Sequence, residues 1–389
     1  MTIPLSVPNL KGRELEYLKK CIATNWVSSA GSFVEKFEDA VCSYVKSKYA
    51  VACVNGTSGL QVALKLSGVE RNDEVIVPAL TFIAPANAVK YLGAEPVFMD
   101  CDDYMNIDPV KLREFCVKEC RVTRAGLVNK ATGRVIKAVV PVHVFGNPCE
   151  MREIMSVARA LRLKVIEDAT ESLGSRYTSG ACKNKFTGTI GDMGVFSFNG
   201  NKIITTGGGG MIVTGNRLLA EKARYLTNQA KDDSVRSIHH EIGYNFRLTN
   251  LQAALGLAQL EQLKKFIGIK KRNYELYCKL LKPARGIKML GMPKGTSPNY
   301  WFYSLLVDEK EYGMGRERLM HCLAKKNIQT RPVWYLNHLQ CPYLKNQAYK
   351  IEKAVWFWKR VLNLPCSTSL QEKQIRQVAS VISNLAARN

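Results

Sequence analysis

No stretch of this chain stays apolar for the roughly 20 residues that a bilayer-spanning helix needs, so a membrane-spanning protein is not expected. The opening segment, MTIPLSVPNLKGRE, lacks a basic region followed by an apolar one. No secretory signal is therefore expected, and the expected location is the cytoplasm. Cys-x-x-Cys is absent: the 12 cysteines are scattered from Cys21 to Cys366, and the closest pair, Cys116 and Cys120, stands alone. That speaks against a zinc site and a disulfide framework, and leaves most thiols as small buried hydrophobes. Acidic residues are scarce beside basic ones, 33 against 56, for a formal charge of +23. Yet no basic tract is interleaved with aromatics, and the clusters, Lys264-Lys265 and Lys270 to Arg272, are short. Nucleic acid is thus not the expected partner; a positive mouth for an anionic ligand is. Gly-x-Gly-x-x-Gly between a first strand and helix is missing too, which sets a Rossmann dehydrogenase aside. Internal repeats, low-complexity tracts and long linkers are also absent.

What is present suits a large globular core. The 389 residues are 46% hydrophobic and 23% charged, enough for two lobes. Leu15, Leu18 and Ile22 have helical spacing, and a helix there ends before Asn25. Ser32 caps a second helix, Phe33 to Lys46, with Phe33, Phe37, Val41 and Tyr44 on one face. Tyr49 to Val54 reads as a buried strand and Gly59 to Ser67 as a helix. Further strands are predicted at Glu74 to Val77, Pro96 to Met99, Val135 to Pro141 and Leu163 to Ile166, with an exposed hairpin between Arg121 and Arg134. Residues 215 to 236 read as helical, and so does Leu251 to Lys265. Beyond about residue 267 the pattern gives strands at Tyr300 to Val307, Ile328 to Pro332 and Leu362 to Leu364. Helices Gly315 to Lys326 and Gln371 to Ala387 complete it. Strands alternating with helices through residue 200 argue an α/β fold with a parallel sheet.

The segment from Gly191 to Thr214 holds one lysine, Lys202, and no arginine. An apolar run, Val195 to Phe198, precedes it; Thr205, Thr206 and four glycines, Gly207 to Gly210, follow, and then a second strand-like run. An amine held between two such runs is desolvated, which lowers its pKa toward a nucleophilic value. The alternative is an exposed lysine in a Gly-rich hairpin. Upstream, the strand that breaks at Asn55-Gly56-Thr57-Ser58 and enters a helix forms a phosphate cup. Helix N-termini offer free N–H donors and a positive dipole end, and Thr57 and Ser58 add hydroxyls. The same residues also serve as ordinary caps. Phe82, just after a strand end, is placed to stack on a flat ring or to sit in the core. His143 is a candidate for catalysis or for the pocket wall. The strand at 163–166 delivers Glu167 and Asp168 to the sheet edge where open parallel sheets bind ligands.

Ser197-Phe198-Asn199-x-x-Lys202 with its glycine turn resembles the lysine region of the DegT/DnrJ/EryC1/StrS family of sugar-nucleotide aminotransferases, and the resemblance covers nearly the whole chain. It implies a fold-type I, aspartate aminotransferase-like architecture. A large mixed-sheet cofactor domain would span residues 1–250, its N-terminal segment free to pack on the second domain. A connecting helix and a small α+β domain would span 251–389. It implies pyridoxal 5′-phosphate (PLP) carried by Lys202, its phosphate held at Gly56-Thr57-Ser58, Ser197 among the residues that bind the cofactor, and Phe82 stacked on its ring. Asp168 would hold the ring nitrogen protonated, as the first residue of the family's Asp-Ala-(Ala/Thr)-(Glu/Gln/His), and Glu171 would face the phenolic oxygen. Val142 to Asn147 resembles the family's His-x-(Phe/Tyr)-Gly strand tip. Asn245, in Gly243-Tyr-Asn-Phe-Arg, would cross to a partner subunit's phosphate in a homodimer with shared sites. The stretch IQTRPVWYLNHLQCPY resembles the legionaminic-acid and bacillosamine subgroup, with Arg331 and His338 as substrate-binding candidates.

On this footing the expected reaction is amino transfer from glutamate to a nucleotide-linked 4-keto-6-deoxy sugar, for surface glycans such as lipopolysaccharide O-antigen or for nonulosonic acids. A UDP-linked N-acetylhexosamine is the first reading. GDP-4-keto-6-deoxymannose, the substrate in perosamine synthesis, and 3-keto sugars are its alternatives. A sugar dehydratase of the same fold would have histidine at position 202. A nucleotide-sugar binding or regulatory protein would have lost part of the set Asp168, Ser197, Lys202 and Asn245.

Overall fold

The computed structural model describes residues 2–233 and 235–386. The chain opens with helices α1 (Glu14–Ala23) and α2 (Ser32–Val45), then β1 (Tyr49–Cys53), α3 (Gly56–Leu66), β2 (Glu74–Pro78), α4 (Ala84–Tyr91) and β3 (Glu95–Met99). Helix α5 (Pro109–Lys118), the hairpin β4 (Cys120–Thr123) and β5 (Gly126–Asn129), β6 (Val135–Val139), α6 (Met151–Leu161) and β7 (Lys164–Asp168) follow. Then come β8 (Arg176–Tyr177), β9 (Met193–Ser197), β10 (Gly210–Thr214), α7 (Arg217–Thr227) and α8 (Asn250–Leu281). The main sheet runs β1-β10-β9-β7-β6-β2-β3 and ends on Ala348–Tyr349. Strand β10 is antiparallel to both its neighbours, and the other pairings along this path are parallel, so the sheet is mixed.

Strands such as Val75–Val77 and Val165–Ile166 are apolar without alternation because helices cover both faces and every side chain is buried. The carboxyl ends of β1, β2, β7 and β9 lie along one edge, and each leads into a loop that carries candidate residues. A second sheet, all antiparallel, is built from Ile287–Met289, Tyr303–Val307, Val361–Leu364 and Arg331–Pro332. Its core includes Ile3, whose backbone bridges to Ile328. No described helix is long and apolar enough to cross a membrane.

Several sequence expectations need correction. Helix α1 forms as expected, but it buries Tyr17 and Cys21 against α8 and leaves Leu15 and Ile22 66% and 64% exposed. Helix α3 starts at Gly56 rather than Gly59, because the Asn55 side chain caps it. The helical run expected over 215–236 stops at Thr227; Gln229 and Ala230 take positive φ, and Lys231–Asp233 pairs with Ile238–His239. Residue 234 of that range lies outside the described residues. Helix α8 runs to Leu281, not Lys265. It crosses from one core, at Leu263 and Phe266, to another, at Tyr277 and Leu281, so its polar middle marks the passage between them. The strand expected from Tyr300 begins at Tyr303, and only Arg331–Pro332 of 328–332 is a strand. The last helix is Glu372–Ala386, and residue 387 of the expected helix lies outside the described residues.

Candidate active site

Strand β9 ends at Ser197, and the chain returns as β10 with Gly210 opposite Ser197. Lys202 sits in the loop between them, so this is a hairpin loop, but the lysine is not exposed: its side chain is 13% accessible. The loop is fixed from several sides. Phe198 is fully buried with its ring 4.9 Å from that of Phe37. The Thr206 N–H donates to the Phe198 carbonyl, and the Gln252 amide donates to that of Gly208. Gly210 is glycine for a steric reason, since a Cβ there would lie 2.6 Å from the Asn55 carbonyl. Its bareness brings β10 against the start of α3.

The Lys202 amine lies 3.8 Å from Glu171 Oε1 and 4.2 Å from the centroid of the Trp301 ring. Burial lowers its pKa, while Glu171 and Asp168 pull the other way. Glu171 is buried as well; the Phe145 N–H donates to its Oε2 at 2.8 Å, and burial raises its pKa to about 7 against the pull of Lys202. Asp168 ends β7, 3% exposed, with Oδ1 accepting the Thr170 N–H at 3.0 Å. Burial raises this carboxyl too, opposed by Thr170, Lys202 and His143. All three groups are buried, and burial shifts the amine and both carboxyls toward neutrality; Lys202 and Glu171 line a common cavity, while Asp168 does not line it and acts on Lys202 through its charge.

Around Lys202 a cavity of about 380 Å³ is lined by Gly56, Thr57, Phe82, Glu171, Ser197 and Arg331 among the sequence candidates. Asn55 caps α3 by accepting the Ser58 N–H, and its carbonyl accepts the Gly59 N–H. The N–H groups of Gly56 and Thr57 have no acceptor among the described residues, as the first turn of a helix requires. A Cβ on Gly56 would lie 2.9 Å from Thr170 Cγ2, 3.1 Å from Ser197 Cβ and 3.5 Å from its Oγ. The bare glycine thus keeps a cup open between a helix N-terminus and a serine hydroxyl. Phe82 is 54% exposed beside it. A dianion cup, a half-exposed ring, a buried carboxylate at a strand end and a desolvated lysine are the donor set that PLP requires, and these residues fit it.

Other candidates lie elsewhere. Ser58 is buried in α3 and does not line the cavity. His143 is fully buried: the Cys149 N–H donates to its Nδ1, so the proton is on Nε2, which donates to Glu167 at 2.9 Å. Glu167 also accepts the N–H groups of Gly188, Ile190 and Gly191, so this pair ties loops together behind the site. Asn245 is exposed and off the cavity of its own chain. His338 is also off it, half-buried beside Phe98, with burial lowering its pKa. Sequence reasoning missed Trp301, Phe302 and Asn363, which complete the wall. They come from the second sheet and its approach, more than 90 residues from Lys202, and no local pattern marks them.

Residues 8–383 match the DegT/DnrJ/EryC1/StrS aminotransferase family. The chain belongs to it. It is a PLP-dependent sugar-nucleotide aminotransferase of fold type I. It is 37% identical over 382 residues to a GDP-perosamine synthase of Escherichia coli O157:H7, and 38% identical over 387 residues to one of Caulobacter vibrioides. In both cases 98% of each chain is covered. A DegT/DnrJ/EryC1/StrS aminotransferase from Brucella abortus superposes with a TM-score of 0.86 at 27% identity, covering 96% of this chain and 95% of that one.

Proposed function

We propose that this aminotransferase moves an amino group from glutamate to C4 of GDP-4-keto-6-deoxymannose, making GDP-perosamine. The observation that carries this reading is end-to-end similarity, at 37% and 38% identity, to two GDP-perosamine synthases. It favours the GDP alternative over the UDP-linked N-acetylhexosamine, which rested on the segment from Ile328 to Tyr343. Within that segment His338 faces away from the cavity, and only Arg331, Pro332 and Trp334 line it.

In this reading Lys202 holds the cofactor, and PLP supplies an electron sink that makes the donor and acceptor carbons acidic. The N–H groups of Gly56 and Thr57, with the Ser197 hydroxyl, would hold its phosphate. Phe82 would supply a ring face for it, and Asp168, buried at the end of β7, would keep its ring nitrogen protonated. The Lys202 amine would be the group that takes up and returns a proton there, since burial lowers its pKa and leaves it able to act as a base. Glu171, at 3.8 Å, takes up or returns the charge on that amine. Arg331 is exposed on the cavity wall without an ion pair among the described residues, and it binds the diphosphate or the glutamate carboxylate.

The 1–250 and 251–389 division and the homodimer belong to the same proposal. Asn245, exposed and away from its own cavity, is free to serve the partner's phosphate cup. Leu15, Ile22 and Trp26, all more than half exposed, would gain cover from a second copy. The test is competition: equal amounts of the GDP-linked and UDP-linked keto sugars with glutamate, and mass analysis of the amino sugars formed. The GDP product should dominate; product from the UDP sugar alone would overturn the assignment.

A further inference from the structure

Trp301 stands against the Lys202 amine, and no part of the reading above uses it. Its ring is 2% exposed and lines the cavity, with Lys202 Nζ 4.2 Å from the ring centroid. Its indole N–H donates to the carbonyl of Asn201, the residue before the lysine, at 2.7 Å. One side chain thus grips the lysine loop twice, once by backbone and once by amine.

The indole is itself held. The Trp301 backbone N–H donates to Asn299 Oδ1, while Asn299 Nδ2 donates to the carbonyls of Glu171 and Leu173. Asn299 is fully buried, and Gly146 must be bare beside it, since a Cβ there would lie 1.9 Å from Asn299 Oδ1. Between the two anchors Tyr300 takes φ +56°, a strained conformation for a bulky residue that persists only where its surroundings enforce it. The segment 299–301 therefore joins the Glu171 loop to the Lys202 loop.

We propose that Trp301 is a positioning residue for Lys202: its N–H fixes the loop at Asn201, and its ring face holds the amine as a cation opposite the Glu171 carboxylate. The charged groups facing that amine are Glu171 and Asp168, with Arg331 elsewhere on the same cavity wall. A ring face attracts an ammonium most strongly where water is excluded. The catalytic consequence rests on the reading of Lys202 as the cofactor lysine. The contact itself does not, and its test uses no cofactor.

The test is the rate at which an amine reagent labels Lys202 in cofactor-free protein, followed against pH by peptide mass analysis. A ring that stabilises the ammonium and a ring that merely shuts out water give opposite signs. In Trp301→Leu, loss of the cation contact lowers the pH midpoint, and labelling at neutral pH becomes about two- to tenfold faster. Trp301→Phe, which keeps a ring face, restores most of the midpoint. If Trp301→Leu does not fold, biosynthetic replacement of tryptophan by fluorinated analogues weakens the ring's field without changing its shape. The midpoint then falls stepwise with fluorine number. A midpoint that rises in Trp301→Leu, or stays fixed across the fluorinated series, overturns the proposal and leaves Trp301 a cover.

Discussion

The Lys202 amine stands 3.8 Å from the Glu171 carboxylate, the lysine side chain 13% and the glutamate side chain 3% accessible. Neither charge is solvated, and each is the other's nearest compensation. Burial pushes the lysine down and the glutamate up, and each one's charge opposes the shift of the other.

This relationship has a cost that pH should reveal in cofactor-free protein. Glu171 has a folded pKa of about 7 against an ordinary 4.5. The folded state therefore binds more protons between those values, and stability from this group falls as pH rises from 4.5 through 7. The lowered pKa of Lys202 acts with the opposite sign, as pH rises from its folded value toward 10.5. In urea unfolding, wild type should lose up to about 3 kcal/mol more than Glu171→Gln between pH 5 and pH 8. Equal slopes in the two proteins would mean that Glu171 is solvated.

Gly56 tests the phosphate cup. Gly56→Ala places a methyl 2.9 Å from Thr170 Cγ2 and 3.1 Å from Ser197 Cβ, so the cup must spread. PLP affinity should drop by about tenfold, or about 1.4 kcal/mol, with the fold retained. Equilibrium dialysis measures it; unchanged affinity would place the phosphate elsewhere.

Much of this was legible in the sequence, and the reasons differ by element. The lone Lys202 between two apolar runs left burial and exposure open, and the strand end offered both Glu167 and Asp168; in each case the family resemblance made the choice, and the structure shows Lys202 buried. Asn55 was overlooked as the cap of α3 because Thr57 and Ser58, which can also cap, stand beside it. The length of α8 was hidden by its polar middle, where Lys270 is buried by donating to the carbonyls of Trp301 and Cys366 rather than exposed. Trp301 could not be found, since it precedes the strand at Tyr303 and only the tertiary fold brings it to Lys202. His338 was expected at the site through the subgroup resemblance of IQTRPVWYLNHLQCPY, but it does not line the cavity: Asn337, in the short helical turn Asn337–Leu339, is anchored on the Ala79 and Thr81 carbonyls.

Asp168 should matter for chemistry and little for binding. Asp168→Asn preserves shape and one hydrogen-bond acceptor but cannot hold a proton on the cofactor ring. The turnover number should fall by roughly two orders of magnitude or more, about 3 kcal/mol, while PLP still binds. Normal turnover in that variant would make Asp168 a structural residue whose task is the Thr170 N–H.

Asn245 tests the shared site. Chains carrying Asn245→Ala and chains carrying Lys202→Ala, each inactive alone, are mixed at random. About a quarter of all sites then regain both residues, because half the dimers are mixed and each holds one intact site. Activity in verified mixed dimers measures this, and its absence would mean that each chain builds its own site.

The claim on which everything else depends is that Lys202, among all the lysines of a strongly basic chain, carries the cofactor. Protein loaded with PLP is treated with borohydride, which fixes the cofactor to its lysine, and digested, and the modified peptide is located by mass. The expected result is one modified peptide, containing Lys202, that disappears in Lys202→Ala together with the visible absorbance. Modification of a different lysine, with Lys202 untouched, would contradict the account.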